Sequence, residues 1–169
     1  MIIGIMSDSH DNLEAVSKAL EVFRRNGVEA IIHLGDIISP FTLLRILEYP
    51  GRIAIVLGNN DGEQITLKEL AVKAGAILKK DMHQMEIGRR KILLMHGFGD
   101  ADQTKTVAEA LALSGKYDVV LYGHTHRAEA RYMGKTLVLN PGEVCGCLTN
   151  RKSVAILNTE TFEYNIVEF

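Results

Sequence analysis

MIIGIMSDSHDNLEAVSKALEVFRRNGVEAIIHLGD, residues 1–36, holds one strand–helix–strand unit, and its reading decides the class of fold. Residues 2–6 are a short apolar run, after which Asp11-Asn12 offers a helix N-cap. Leu13, Val16, Leu20 and Phe23 follow at spacings of three, four and three, which is one stripe of a helix. Asn26-Gly27 ends that helix with residues tolerant of positive φ. Ala30 to Leu34 is then a second buried-strand run, so the unit predicts parallel strands with a helical crossover.

Downstream the pattern repeats. A short helix from about Phe41 to Glu48 is broken by Pro50-Gly51, Ile53 to Leu57 reads as a third strand, and residues 63–74 as a third helix with Gly75 as its stop. The second half changes character. Met85 to Ile87 and Ile92 to Met95 flank Gly88-Arg89-Arg90 as a hairpin, residues 101–114 look helical, and Val119 to Tyr122 is another buried strand. Arg131 to Met133 with Leu137 to Leu139, and Ser153 to Leu157 with Tyr164 to Val167, predict two more hairpins. An α/β half running into a strand-rich half without a linker implies an αββα sandwich: two mixed sheets packed face to face, helices on the outer faces.

The chain has 169 residues, which fits one domain over residues 1–169. Hydrophobic residues make up 47% and charged residues 24%, a globular balance that excludes disordered and low-complexity classes. A formal net charge of −2 argues against a protein that coats nucleic acid polymers or an anionic membrane. No apolar run approaches the ~20 residues of a membrane helix. The N-terminal run lacks a basic flank and meets Ser7-Asp8 at once, so it does not read as a signal peptide and the expected location is cytoplasmic. The two cysteines, Cys145 and Cys147, are one residue apart, too close for an unstrained disulfide, and read as thiols without chemistry.

Five apolar strands each end in a cluster of metal-capable residues. These are Ser7-Asp8-Ser9-His10, Gly35-Asp36, Gly58-Asn59-Asn60-Asp61, His96-Gly97 and Gly123-His124-Thr125-His126. In open α/β sheets ligands bind beyond the carboxyl ends of strands, so the five clusters should meet on one rim. Singly, each has a plainer reading: Asp8 and Asp36 as turn residues, Asn59-Asn60-Asp61 as a helix cap, His96 as a hydrogen-bonded histidine. Jointly they hold four of the six histidines, and scattering would not do that. Asp8, His10, Asp36, Asn59, His96, His124 and His126 offer mixed oxygen and nitrogen donors. That set suits Mn²⁺, Fe²⁺, Zn²⁺ or Ni²⁺ better than Ca²⁺. Seven groups exceed the needs of one tetrahedral ion. With a bridging carboxylate they would fill two ions about 3.5–4 Å apart, a positive site that attracts phosphate.

The order of these motifs resembles that of the calcineurin-like metallophosphoesterase superfamily, in particular its small single-domain prokaryotic phosphodiesterases. The resemblance runs from Asp8 to His126, and Asn140-Pro141-Gly142 resembles a stretch these proteins carry after the last histidines. It implies the same αββα sandwich. It also implies two divalent metal ions, Mn²⁺ foremost with Ni²⁺, Fe²⁺, Zn²⁺ and Mg²⁺ as alternatives. Asp8, His10, Asp36 and His126 would hold one ion, and Asp36, Asn59, His96 and His124 the other. Asp36, Asn59 and His96 would be its catalytic members. A metal-bound hydroxide would attack the phosphorus of a small or aryl phosphodiester. The departure is Asn60, where much of the superfamily has a histidine that protonates the leaving group; an amide cannot do so at neutral pH.

The competing readings are a phosphomonoesterase, a cyclic-nucleotide phosphodiesterase, and a non-catalytic protein-binding scaffold such as the retromer subunit of the same fold. A complete ligand set speaks against the scaffold. His33 reads as a satisfied sheet histidine and His83 as a solvated one. Lys79-Lys80 and Arg89-Arg90-Lys91 read as solvated charges able to guide an anion, and Arg127 as a contact for phosphate. The C-terminal hairpins offer an edge for a homodimer.

Overall fold

In the computed structural model, which describes residues 1–169, the first strand, β1 (Ile2–Met6), sends alternate side chains into two different cores. Ile3 and Ile5 face a layer shared with Ile32, Val56, Leu94, Leu121 and Leu139. Met6 faces the opposite way, into a layer with Val16, Leu20 and Phe23. Gly4 lies on that same face for a steric reason. A Cβ there would stand 2.8 Å from the Phe23 ring, so its absence lets the first helix lie close to the sheet.

After β1 come α1 (Leu13–Arg25), β2 (Ala30–His33), α2 (Pro40–Leu47), β3 (Arg52–Val56), α3 (Gln64–Lys73) and β4 (Ile77–Lys79). The second half comprises β5 (His83–Ile87), β6 (Arg90–Met95), α4 (Ala101–Leu113), β7 (Val119–Tyr122), β8 (Ala128–Met133), β9 (Thr136–Pro141), β10 (Ser153–Asn158) and β11 (Tyr164–Glu168). One sheet has the order β11-β10-β1-β2-β3-β4, the other β5-β6-β7-β9-β8. β1 to β4 run parallel and β10 and β11 antiparallel to their neighbours. In the other sheet β6, β7 and β9 are parallel and the edge strands antiparallel. Both sheets are therefore mixed. Helices α1 to α3 cover the outer face of the first sheet, and α4 covers the second through Ala108 and Ala112 against Leu93, Val120 and Val138. This is the αββα sandwich.

Local chemistry fixes the ends. Asn12, not Asp11, caps α1 by accepting from the Ala15 N–H at 3.1 Å, while Asp11 accepts from the hydroxyls of Ser39 and Thr42, both at 2.7 Å. Pro40 opens α2, where its missing N–H costs nothing. Gly88 and Arg89 both have positive φ, as a two-residue hairpin turn of the right hand requires, and Ile87 pairs with Arg90 across it. Three details depart from the sequence reading. β4 is a strand in which Leu78 alone is buried, too little apolar pattern to read. His83 opens β5 half-buried and is not a solvated residue. Asp61 does not cap α3, whose N-cap is Glu63 without a side-chain bond.

Candidate metal centre

The parallel strands deliver their carboxyl ends to one rim. The loops after β1, β2 and β3 bring Asp8 and His10, Asp36, and Asn59 from one sheet; those after β6 and β7 bring His96, His124 and His126 from the other. The loops are bonded to one another. Asp8 N–H donates to the Gly35 carbonyl and His10 N–H to the Asp36 carbonyl, each at 3.0 Å. His124 N–H donates to Asp8 Oδ2 at 3.1 Å. Asp8, His10, Asp36, His124 and His126 all adopt the left-handed backbone region, with φ from 40° to 65°. Such a cluster of non-glycine residues costs free energy and persists because the surrounding bonds fix it. Gly58 has a different reason: a Cβ would collide with the Asp36 carboxylate.

All seven residues singled out in the sequence come together, in two groups. In the first, Asp8 Oδ1 lies 3.3 Å from His126 Nε2 and 4.0 Å from His10 Nε2, and His10 Nε2 lies 3.4 Å from Asp36 Oδ2. In the second, His96 Nε2 lies 3.5 Å from Asp36 Oδ2, 3.0 Å from Asn59 Oδ1 and 3.3 Å from His124 Nδ1. Asp36 Oδ2 is common to both. Two donors each about 2.1 Å from one ion stand about 3.0 Å apart at a right angle and about 4.2 Å apart when opposite. Every separation falls within that window.

The imidazoles are oriented from behind. His96 Nδ1 donates to the Leu34 carbonyl at 2.6 Å, His124 Nε2 to the Gly99 carbonyl at 2.9 Å, and His126 Nδ1 to Glu143 Oε2 at 2.7 Å. Each bond leaves the other ring nitrogen for the centre. Asp8 Oδ1 and His10 Nε2 are buried without any hydrogen-bond partner, a loss of about 1–3 kcal/mol per group that a divalent cation between them would remove. The donor set therefore fits divalent metal ions.

Electrostatics agree with a crowded polar pocket. Burial raises the Asp8 pKa despite the nearby charges of His96 and His126. Burial acts the same way on Asp36, but hydrogen bonds from His96 and Asn60 overcome it and hold that carboxyl well below the usual range. For His96 burial favours the neutral ring, yet Asp36 and Asp8 win and raise its pKa. His33 is separate: Nδ1 accepts from Gly35 N–H at 3.1 Å and Nε2 meets Ser9 Oγ at 3.0 Å, so both nitrogens are used in a fully buried strand.

Three further residues matter: Asp61 and Asn140, which the motifs contained without revealing their roles, and Glu143, which the motifs did not single out. Asp61 Oδ2 accepts from the N–H groups of Asp36 at 3.0 Å and Gly58 at 2.7 Å, and Oδ1 from Ile38 at 2.7 Å, tying two loops together. Asn140 donates to the Gly123 carbonyl and to Thr125 Oγ1, each at 3.0 Å, which gives Asn140-Pro141-Gly142 its role as a brace. Glu143 is fully buried; burial opposes its charge, but bonds from His126, Cys145 and Thr149 hold its pKa at about 2. Cys145 is buried with its sulfur within 4.8 Å of ring nitrogens of His10 and His126, beside the centre, a location the sequence reading did not give it. Arg127 is exposed beside His126.

A cleft of about 290 Å³ opens beside Asn59 and His96, with Lys80, Met82 and Phe98 on its walls. Larger clefts of about 550 and 530 Å³, around Tyr49 and Tyr117, contain none of the seven residues.

Carboxylates, an amide and imidazoles meet at the joined rims of two mixed sheets as a candidate metal centre, and likeness to known proteins makes the class a metal-dependent phosphoric ester hydrolase. The model of the calcineurin-like phosphoesterase superfamily domain matches residues 1–162, and the chain belongs to that superfamily. It is 41% identical over 166 residues to a phosphodiesterase of Methanocaldococcus jannaschii, covering 97% of this chain and 96% of that one. The phosphodiesterase YfcE of Escherichia coli is 28% identical over 159 residues, covering 85% and 79%. A solved archaeal phosphodiesterase superposes with a TM-score of 0.92 at 40% identity, with both chains covered in full. Vps29 of Chaetomium thermophilum, at 18% identity and a TM-score of 0.73, covering 100% of this chain and 96% of that one, shares the fold. No helix is long and apolar enough to cross a membrane.

Proposed function

We propose that this chain hydrolyses small phosphodiesters, aryl esters best, at a centre of two divalent cations, with Mn²⁺ as the working metal. The observation that carries this reading is Asp36 Oδ2, which stands 3.4 Å from His10 Nε2 and 3.5 Å from His96 Nε2 and so belongs to both donor groups. Asp8, His10, Asp36 and His126 would hold one ion; Asp36, Asn59, His96 and His124 the other. When bound, such ions supply Lewis acidity that polarises a phosphoryl oxygen and acidifies water. The chain's own residues do the rest. Asp36, held ionised by His96 and Asn60, keeps negative charge fixed at the rim, and the carbonyls of Leu34 and Gly99 hold His96 and His124 in their tautomers. The adjoining cleft supports a small apolar leaving group: Met82 and Phe98 are 51% and 63% exposed there, and Lys80 gives the rim a positive charge. The phosphodiesterases among its relatives point the same way.

A panel of aryl diesters, phosphomonoesters and cyclic nucleotides, assayed with Mn²⁺, Mg²⁺, Ni²⁺ and Zn²⁺, tests the reading. Aryl diesters should turn over fastest, a chelator should abolish the rate, and Mn²⁺ should restore it. Faster monoester hydrolysis, or a rate indifferent to chelation, would contradict it.

A further inference from the structure

Glu143 is the most heavily bonded side chain near the centre. Its Oε2 accepts from His126 Nδ1 at 2.7 Å, from Cys145 Sγ at 3.0 Å and from Cys147 N–H at 3.0 Å. Its Oε1 accepts from Leu148 N–H at 3.1 Å, Thr149 N–H at 2.6 Å and Thr149 Oγ1 at 2.7 Å. The segment it gathers is itself attached to the first strand's loop, because Val144 N–H donates to the Ser7 carbonyl at 3.0 Å and Cys145 N–H to the Asp8 carbonyl at 3.1 Å. One fully buried carboxylate therefore joins a histidine of the centre to a turn over residues 145–149 that carries no donor of the motif set.

A structural account alone would need only the turn contacts. The contact to His126 adds something else. A carboxylate behind an imidazole fixes the tautomer, and here it turns Nε2 toward the unpartnered Asp8 Oδ1 at 3.3 Å. His126 is also stacked on His10, with centroids 5.3 Å apart, so the ring has little freedom to find another pose. None of the hydrogen bonds of Glu143 goes to Asn59, His96 or His124, and its influence should stop at the first donor group.

We infer that Glu143 is the positioning residue of the Asp8–His10–His126 half of the centre, holding His126 in the tautomer and pose that a cation in that half requires. This rests on the two-cation reading above. Glu143→Gln sets an amide N–H₂ against a ring of donors and weakens the grip on His126. Thr149→Ala removes turn contacts but leaves the His126 bond in place.

Mn²⁺ titration followed by electron paramagnetic resonance reads each ion's affinity, and nitrogen-detected NMR of the wild-type imidazoles reads the tautomers. Glu143→Gln should bind one Mn²⁺ roughly 10–100-fold more weakly, with the other ion's affinity nearly unchanged. Thr149→Ala should bind both ions almost as the wild type does. The metal-free wild type at pH 8 should show the His126 proton on Nδ1, a result that stands even if the Gln variant fails to fold. A His126 proton on Nε2 would overturn the proposal, as would unchanged affinities in Glu143→Gln or an equal loss in Thr149→Ala. If the wild type binds one Mn²⁺ only, the two-cation reading fails, while a 10–100-fold loss at that ion in Glu143→Gln still supports the role of Glu143.

Discussion

Asn60 turns the loop after β3 back onto Asp36: its side-chain amide donates to Oδ2 at 2.8 Å and its backbone N–H to Oδ1 at 2.9 Å. The amide is thus engaged with a carboxylate and has no proton to give a leaving oxygen at neutral pH. General acid help is worth roughly 10²–10⁴ in rate, and its loss is felt most when the leaving group is poor. Across a series of substituted phenyl diesters the rate should therefore fall steeply with leaving-group pKa. Asn60→His should flatten that slope if the new ring reaches the leaving oxygen. A shallow slope in the wild type would reveal an acid elsewhere and count against the reading. At this scale the sequence was legible where polar residues abut strand ends, which is how the seven residues that meet at the rim were singled out. Glu143 was not legible: it lies 17 residues from His126, and nothing local tells a buried carboxylate from a surface one.

At the scale of elements, the rim depends on the loops after β2 and β3 being held together, and Asp61 does this with three backbone N–H groups. Asp61→Ala would leave those donors unpaired, the Asp36 N–H in a buried position and the other two partly so. The expected cost is about 3 kcal/mol, read as a lower urea midpoint, together with weaker metal binding although no donor has been removed. An unchanged midpoint would mean that the loops hold without it. The strands and helices themselves were legible because their apolar spacings are strict, as in Leu13, Val16, Leu20 and Phe23. β4 was not, since with Leu78 alone buried its place is set by pairing with β3, which is tertiary context. The use of Asp61 as a staple was hidden for a similar reason: an aspartate just before a helix usually caps it.

For the whole molecule, the centre draws Asp8, His10, Asp36 and Asn59 from one sheet and His96, His124 and His126 from the other, so its geometry reports how the two sheets pack. The sequence announced two sheets; their partnership at one rim followed from the common direction of the parallel strands. At the end of β2, just before the Asp36 loop, lies His33, whose pKa burial lowers from the ordinary 6.5 to about 3. Between these values the unfolded chain binds a proton that the folded chain does not, so stability falls as pH falls. The slope is about 1.4 kcal/mol per pH unit, or about 3 kcal/mol between pH 6.5 and 4. The raised pKa of His96 acts in the opposite direction, and comparing the wild type with His33→Asn isolates His33. In chelator, His33→Asn should be less stable at pH 7 yet lose less stability on acidification; parallel pH curves for the two chains would refute the assignment.

The central claim is that one carboxylate is shared by two cations, and the metal content of Asp36→Asn tests it most directly. After saturation with Mn²⁺ and gel filtration, elemental analysis should find about two ions per wild-type chain. The Asp36→Asn chain should lose both together, because the shared oxygen would no longer carry the charge that neutralises them. An Asp36→Asn chain that keeps two ions and hydrolyses diesters at the wild-type rate would contradict the account.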